Sequence, residues 1–380
     1  MSLRLALVGA FPFPLAQGSQ RYLADQAHAL GDAGARVTVV CYGRGDGRST
    51  DGLDLVRAPR WATPRRLASG LSARKPIADL ELTLALLRAH RRERFDAVLA
   101  HNAEAALAGF SARAAGGPPV IYVAHTLFEN ELSSHLPERA GPVKLSSSWE
   151  RLGAVLDRRC ARHADAVLVL TEAAQRALAP HTRGPLACVP PGRRAEPHPD
   201  VLEIDEICRR ERLEPGGYVV YAGNLDRYQG LDVLDAAAAA LPDVPCVAVT
   251  HAMGSGGFRA LRPIRVASAK DARALVFGAS LAVVPRRVAG GFPLKVLDAM
   301  EAGLAIVGHA ASLGGLRHDE SAWCLPADAE PDQWAAAVAT LHSDPHLRAR
   351  LGRGARAVLE RDHAWPRLAD QTLQLVASLR

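Results

Sequence analysis

No apolar run in the 380-residue sequence approaches the roughly 18 residues that a membrane-spanning helix needs, so no such helix is expected. Aromatic residues make up only 5% of the chain and no recognition motif accompanies them, which places nucleic-acid binding last among the uses of its positive charge. The six cysteines (Cys41, Cys160, Cys188, Cys208, Cys246 and Cys324) stand singly, without the close pairing of a zinc site or a dense disulfide framework. A reducing cytoplasm is the simplest home for them. The dinucleotide fingerprint GxGxxG is missing, which takes the main support from a nicotinamide enzyme. No Asp-x-Asp cluster offers paired carboxylates to a metal, so no metal ligands are expected.

What is present is a globular composition, 48% hydrophobic and 23% charged, in a chain long enough for two domains with a core each. The formal net charge of +6 suits an acidic partner without choosing among nucleotide, anionic lipid and nucleic acid. Arg4 followed by LALVGAFPFPLA imitates a secretion signal, but two prolines interrupt the apolar stretch. LRLALVGA reads instead as the first strand of a nucleotide-binding domain.

Strands and helices alternate along the chain, which predicts an α/β class. After the strand over 3–8, the loop GAFPFPLAQGSQRY leads into a helix with Leu23, Ala27 and Leu30 at helical spacing. Gly31 and Gly34 end it before a strand over 36–41. A strand over 97–101 closes with His101, a helix follows over 103–115, and PPVIYVAHT is a strand ending in His125. Open α/β sheets place ligands at such strand ends. Residues 128–148 read as a loop on the acceptor side. A helix to His163, the strand ADAVLVLT, a short helix and the strand LACVPPG complete a first domain over 1–192. Residues 193–215, rich in proline and charge, read as a linker with a short helix around 204–212.

A second domain, 216–363, opens with YVVYAGNLDRYQGLDVLDAAAAAL, a strand, a glycine turn and an alanine-rich helix. A strand over 246–250, the loop MGSGG, a strand near 264–266 and a helix over 271–277 follow. Two late helices, PDQWAAAVATL and PHLRARLGRGARAVLE, precede a terminal helix opened by Trp365 in the segment 364–380. Between the helix over 271–277 and these late helices lies VVPRRVAGGFPLKVLDAMEAG, residues 283–303, a strand, a glycine loop and a helix in succession. Pro293 suits a first helical turn, where its missing N–H costs nothing. The free N–H groups of such a helix start suit a phosphate, with Arg286, Arg287 and Lys295 adding charge. Asp298 is placed to accept from sugar hydroxyls.

GGFPLKVLDAMEAG resembles the signature of the family 4 retaining glycosyltransferases, with Gly290 and Asp298 where the family carries its two glutamates. The resemblance implies the GT-B fold, two Rossmann-like domains facing each other across a cleft, with the C-terminal helix crossing back to the N-terminal domain. It implies transfer of a hexose from a UDP- or GDP-linked sugar to a hydroxyl of a glycan, lipid-linked glycan or small molecule, with retention and without a metal. Under it, Phe292, Pro293 and Leu294 line the sugar and phosphate pocket beside Gly291, and Asp298 holds the ribose. Gly18 lets the backbone approach the donor phosphate or the acceptor, and His125 faces the transferred sugar. The family's diphosphate clamp falls on Asn224 and Gln229, which replace an arginine and a lysine. Arg227 is expected to supply the displaced charge, and Arg286 and Lys295 to stabilise the leaving diphosphate.

The basic stretch over 57–94, with Trp61 among its arginines, resembles segments that dock glycosyltransferases on anionic lipid. That use implies a peripheral position at the inner face of the plasma membrane. A solvated face whose helix-end arginines complement the dipole explains the same residues. Two rival functions keep the fold. A scaffold in a glycan assembly cluster, weak or inactive in catalysis, accounts for Gly290, Asn224 and Gln229; a nucleotide-sugar epimerase would release nucleotide without an acceptor.

Overall fold

The computed structural model describes residues 2–14, 18–45, 50, 52–59, 75–128, 144–251, 257–286 and 291–379. Two compact units emerge. One comprises Met1–Gly192, Gly290–Phe292 and Trp365–Arg380; the other comprises Arg193–Ala289 and Pro293–Ala364.

The first unit is built on seven strands, β1 Arg4–Pro12, β2 Arg36–Tyr42, β3 Asp54–Arg57, β4 Ala97–His101, β5 Val120–Ala124, β6 Ala166–Val169 and β7 Leu186–Cys188. They pair in parallel in the order β3-β2-β1-β4-β5-β6-β7. Its helices are α1 Gly18–Asp32, α2 Lys75–Glu93, α3 Asn102–Ala114, α4 Lys144–His163 and α5 Glu172–Leu178. Every residue of β4 and β5 is buried, as expected of parallel strands covered on both faces, and this is why they read as unbroken apolar runs. Tyr122, Val98 and Val120 enter a core shared with Leu82 and Leu86 of α2 and Ala105 and Ala112 of α3.

The second unit has six strands, β8 Val219–Ala222, β9 Cys246–Thr250, β10 Arg262–Arg265, β11 Leu281–Val284, β12 Ala305–His309 and β13 Trp323–Leu325. All pair in parallel, in the order β10-β9-β8-β11-β12-β13. Its helices are α6 Val201–Arg210, α7 Leu231–Ala239, α8 Ala269–Phe277, α9 Lys295–Glu301, α10 Pro331–Ser343 and α11 Pro345–Asp362. Trp334 of α10 is fully buried in a core with Leu234 of α7 and Val307 of β12. The last helix, α12 Trp365–Ala377, is part of the first unit and packs on α1.

Both sheets reverse their strand order beside their first strand. That gives a switch point between β1 and β4 in one and between β8 and β11 in the other, the places where open α/β sheets bind ligands. Residues 193–215, expected as a linker, are packed into the second unit. Arg193 bridges to Ala364, and α6 starts at a capping box in which Asp200 and Glu203 satisfy each other's backbone N–H. The short strands β3 and β13 have no counterpart in the sequence reading, because DLVR and WCL are too brief to carry a period-2 pattern. The acceptor-side loop is described only at its ends, as are Gly290, Arg287, Trp61 and most of MGSGG, which lie outside the described residues; α4 begins at Lys144, inside the expected loop.

Candidate active site

At the switch point of the second sheet, β8 ends in Gly223 and the chain turns through Asn224 and a 3-10 turn, Arg227–Gln229, into α7. Gly230 makes this turn possible. It has φ 69°, and a Cβ there would lie 2.5 Å from the carbonyl oxygen of Pro285, which follows β11. The two loops of the switch point therefore touch at a position that only glycine fits.

Lys295, the first residue of α9, is partly buried with its ammonium enclosed among residues of this loop. Its Nζ donates to Tyr221 Oη at 2.8 Å and to Gln229 Oε1 at 2.6 Å, and lies 4.0 Å from the centroid of the Tyr221 ring. Gln229 Nε2 donates to Asn224 Oδ1 at 2.8 Å, and Asn224 Nδ2 donates to Tyr228 Oη at 3.1 Å and to Asp226. Tyr221 Oη donates to the Asn224 carbonyl at 2.6 Å. A lysine can only donate, so it fixes the orientation of the Gln229 amide and, through it, that of Asn224. Burial, and next the charge of Arg286, hold the Lys295 pKa well below the usual lysine range, while Asp226 acts weakly in the other direction. Arg286 is itself buried, its guanidinium 5.5 Å from the Tyr228 ring centroid, and its carbonyl accepts from Ser312 Oγ at 2.6 Å. The side chain of Arg227 lies outside the described residues.

The helix after this loop is shorter than its sequence suggests. It begins at Lys295, not at Pro293; Pro293 and Leu294 instead form a tight lead-in whose carbonyls accept from Val296 N at 2.9 Å and Leu297 N at 3.0 Å. Seven residues remain in α9, and Asp298 falls in its first turn. Asp298 is paired with Arg193, Oδ1 to Nη1 at 3.3 Å. Arg193 also reaches Glu301 at 2.6 Å, and Glu301 receives two bonds from Arg273 at 3.0 Å. Asp298 is therefore already engaged by a neighbouring arginine.

In the first unit, His101 Nδ1 and His125 Nε2 are 2.7 Å apart, their rings edge to face with centroids at 4.9 Å. Both are buried at the switch-point end of the sheet, where Gly9 of β1 pairs with His101 of β4. Tyr22 of α1 meets His125 edge to face at 4.9 Å, and Trp365 of α12 stands 6.0 Å behind Tyr22. Burial pushes the His125 pKa down to about 3, and burial and then His125 push His101 well below the ordinary value. One nitrogen must donate and the other accept, so the pair is held neutral in one tautomeric register. Asn102, at φ 70°, turns β4 directly into α3 in a left-handed conformation that asparagine tolerates. Thr126, next to His125, forms an antiparallel bridge with Gly291, and a Cβ on Gly291 would come within 2.3 Å of Thr126 Oγ1.

The description Glycosyl transferase 4-like domain matches residues 17–192, and Glycosyl transferases group 1 matches residues 216–344. The chain is a glycosyltransferase. It has the GT-B fold. Sucrose-phosphate synthase from Thermosynechococcus elongatus superimposes on the enzyme with a TM-score of 0.78 at 17% identity, over 99% of each chain. HepE from Anabaena, in complex with UDP and glucose, gives a TM-score of 0.75 at 15% identity, over 99% of this chain and 100% of its own. WaaG, a glycosyltransferase involved in lipopolysaccharide biosynthesis, gives 0.70 at 14% identity, over 98% of this chain and 99% of its own. No curated protein sequence matches the enzyme.

The glycosyltransferase distributes its sequence-predicted residues between the two units. Gly18, His125, Gly291 and Phe292 fall in the first, and Asn224, Gln229, Arg286, Pro293, Leu294, Lys295 and Asp298 in the second. Within the second, Lys295, Gln229 and Asn224 form one hydrogen-bonded chain, whereas Asp298 belongs to the separate Arg193–Glu301 cluster. Tyr221, Tyr228, Tyr22 and Arg193 were not singled out by sequence. Tyr221 lies 74 residues from Lys295, and its only signal is a tyrosine within an apolar strand.

Proposed function

We propose that the enzyme is a retaining hexosyltransferase that takes the sugar from a UDP- or GDP-linked donor to a hydroxyl of a glycan or lipid-linked glycan, without requiring a metal. The observation that carries this reading is the enclosed ammonium of Lys295 at the second switch point, 2.6 Å from a neutral amide oxygen and close enough to Arg286 for the two cations to oppose each other. A dianionic diphosphate placed here brings negative charge to both cations. In this reading the second unit binds the donor nucleotide, with Asn224, Gln229, Arg286 and Lys295 toward the diphosphate, Arg227 adding charge, and Asp298 toward the ribose. Gly291, Phe292, Pro293 and Leu294 line the sugar and phosphate, and Gly18 allows close approach of the backbone. HepE, solved with UDP-glucose, supports a donor of this class.

The anomeric carbon–oxygen bond breaks with its electron pair leaving on the diphosphate, and the acceptor oxygen bonds to the same carbon on the same face. The acceptor proton passes to the departing phosphate. His125, neutral, contacts the sugar as positive charge develops there instead of taking the proton. A peripheral contact with anionic membrane through 57–94 belongs to the same reading. The test is thermal unfolding of the purified chain with UDP, GDP, ADP and NAD, beside Asp298→Ala. A ligand at about 100 times its dissociation constant adds roughly 2.7 kcal/mol to folded-state stability. A midpoint raised by one nucleoside diphosphate and lowered again by the substitution is the expected result; no shift with any of them overturns the donor assignment.

A further inference from the structure

Six of the eight exposed large apolar side chains among the described residues lie on three neighbouring helices of the first unit. They are Ile77, Leu80 and Leu84 on α2, Leu107 on α3, and Leu152 and Val155 on α4. Helix α3 packs against both α2 and α4, so the six belong to adjacent rods on one face of the sheet. Leu80 is 59% exposed, Leu107 49% and Leu152 54%, far beyond the edge of a core residue. Exposed apolar side chains gathered on one face of a sheet mark a contact with something other than water.

Charge identifies the contact. The only exposed charged side chains on α2 are Arg88, Arg91 and Arg92, and those described on α4 are Arg151, Arg158, Arg159 and Arg162. The acids of these helices turn elsewhere. Asp79 accepts from Tyr42, Glu93 accepts from Thr38 at 2.6 Å, Glu104 pairs with Lys75, Asp157 accepts from Tyr122 at 3.0 Å, and Glu81 is buried. Among the described side chains of the three helices, no carboxylate is exposed. A merely solvated face mixes both signs; leucine and arginine without acid is the composition of a surface that lies in an anionic lipid interface. The two kinds of residue are also segregated. On α2 the apolar positions precede the arginines, and on α4 Arg158, Arg159 and Arg162 follow Leu152 and Val155 while Arg151 stands before them; helices of parallel α/β units run against their strands, so most of the apolar part lies toward the strand ends that carry His101 and His125.

We propose that the α2–α3–α4 face docks the enzyme on an anionic bilayer, its leucines entering the boundary between headgroups and acyl chains and its arginines meeting lipid phosphates. This deepens the membrane contact included in the proposed function, which rested on the basic stretch alone, by giving it an apolar half and two further helices. The test is flotation of the full chain with phosphatidylglycerol–phosphatidylcholine vesicles and with pure phosphatidylcholine vesicles. Binding to the first and not the second is expected. At about fivefold per arginine near a charged surface, Arg88→Gln, Arg91→Gln and Arg92→Gln together lower partitioning on the order of 100-fold. Leu80→Gln with Leu84→Gln lowers it roughly tenfold. Leu107→Gln with Leu152→Gln repeats the test on the other two helices should the first pair fold poorly. Wild-type protein that stays with the buffer, or leucine variants that float as well as wild type, overturn the proposal. So does a dimer in lipid-free solution that Leu80→Gln with Leu84→Gln dissociates, since the face would then be an interface between copies. The UDP-induced thermal shift, read on the same preparations, reports the donor pocket separately.

Discussion

Lys295→Met keeps the length and apolar stem of the side chain and removes its charge. In the folded protein Nζ rests on Tyr221 Oη at 2.8 Å and Gln229 Oε1 at 2.6 Å, neither of them anionic. Burial first, then Arg286, depress its pKa well below the usual lysine range. A charge-assisted hydrogen bond to a phosphate contributes about 1.5–3 kcal/mol, so the substitution should weaken UDP binding roughly 10- to 150-fold. Stability without ligand should move the other way or stay level. The cation that opposes Arg286 is gone, Tyr221 Oη keeps its bond to the Asn224 carbonyl at 2.6 Å, and one amide oxygen of Gln229 loses a partner. The pH dependence follows from the depressed pKa. Above it, the folded, unliganded protein binds fewer protons than the unfolded chain, so the penalty for this ammonium is full at low pH and fades as pH rises through the folded pKa. A bound diphosphate restores the proton. UDP binding therefore takes up a proton above that pKa and weakens as pH rises, and Lys295→Met flattens the dependence. Calorimetric titration of UDP in two buffers of different ionisation heat, with thermal unfolding of the free proteins, measures all three effects. An unchanged dissociation constant, or lost thermal stability with binding intact, refutes the reasoning and makes Lys295 a strut.

The histidine pair, held neutral with His125 pushed down to about 3, predicts no acid limb near the ordinary histidine pKa in the rate profile. Because the folded values lie below the unfolded one, stability from the pair is present above about pH 6.5 and is lost as pH falls toward the folded values. His101→Asn should shrink that loss in midpoint-against-pH curves, and a curve that keeps its shape counts against the assignment. Glu301→Ala removes the carboxylate shared by Arg193 and Arg273, which keep Asp298 and Glu196 as partners, and should cost about 1–3 kcal/mol by denaturant unfolding. A loss below about 1 kcal/mol would mean that the cluster is screened like a surface pair. Gly230→Ala meets both a left-handed backbone and the Pro285 carbonyl, so it should destabilise by at least about 1–2 kcal/mol and weaken UDP binding by moving the Asn224–Gln229 loop. Gly31→Ala in α1, with nothing within 4 Å of the new methyl, should instead stabilise by about 0.5–1 kcal/mol.

Much of the fold was legible because parallel strands buried on both faces leave unbroken apolar runs. β4 and β9 fall on 97–101 and 246–250, as read from the sequence, and β5 stops one residue before His125, placing that histidine at a strand end. The family signature in 283–303 and the basic stretch of α2 were equally plain, since both are local in sequence. Helix starts were less so. A proline suits the first turn, but the chain through Pro293 and Leu294 tightens before α9 begins, and sequence periodicity over seven residues is too short to locate the start.

Sequence by itself determined that this chain is an α/β protein with glycosyltransferase motifs, because periodicity and short motifs are written in neighbouring residues. Only the tertiary structure decided that the lysine meeting Gln229 comes from position 295, that Asp298 is held by Arg193, and that His101 backs His125. Those pairs are 66, 105 and 24 residues apart, and nothing in local patterning couples side chains across such separations. The surface proposed to meet lipid has the same origin. Leu80, Leu107 and Leu152 each read as an ordinary helical residue, and they become one face only when the sheet sets three helices side by side with their carboxylates turned inward.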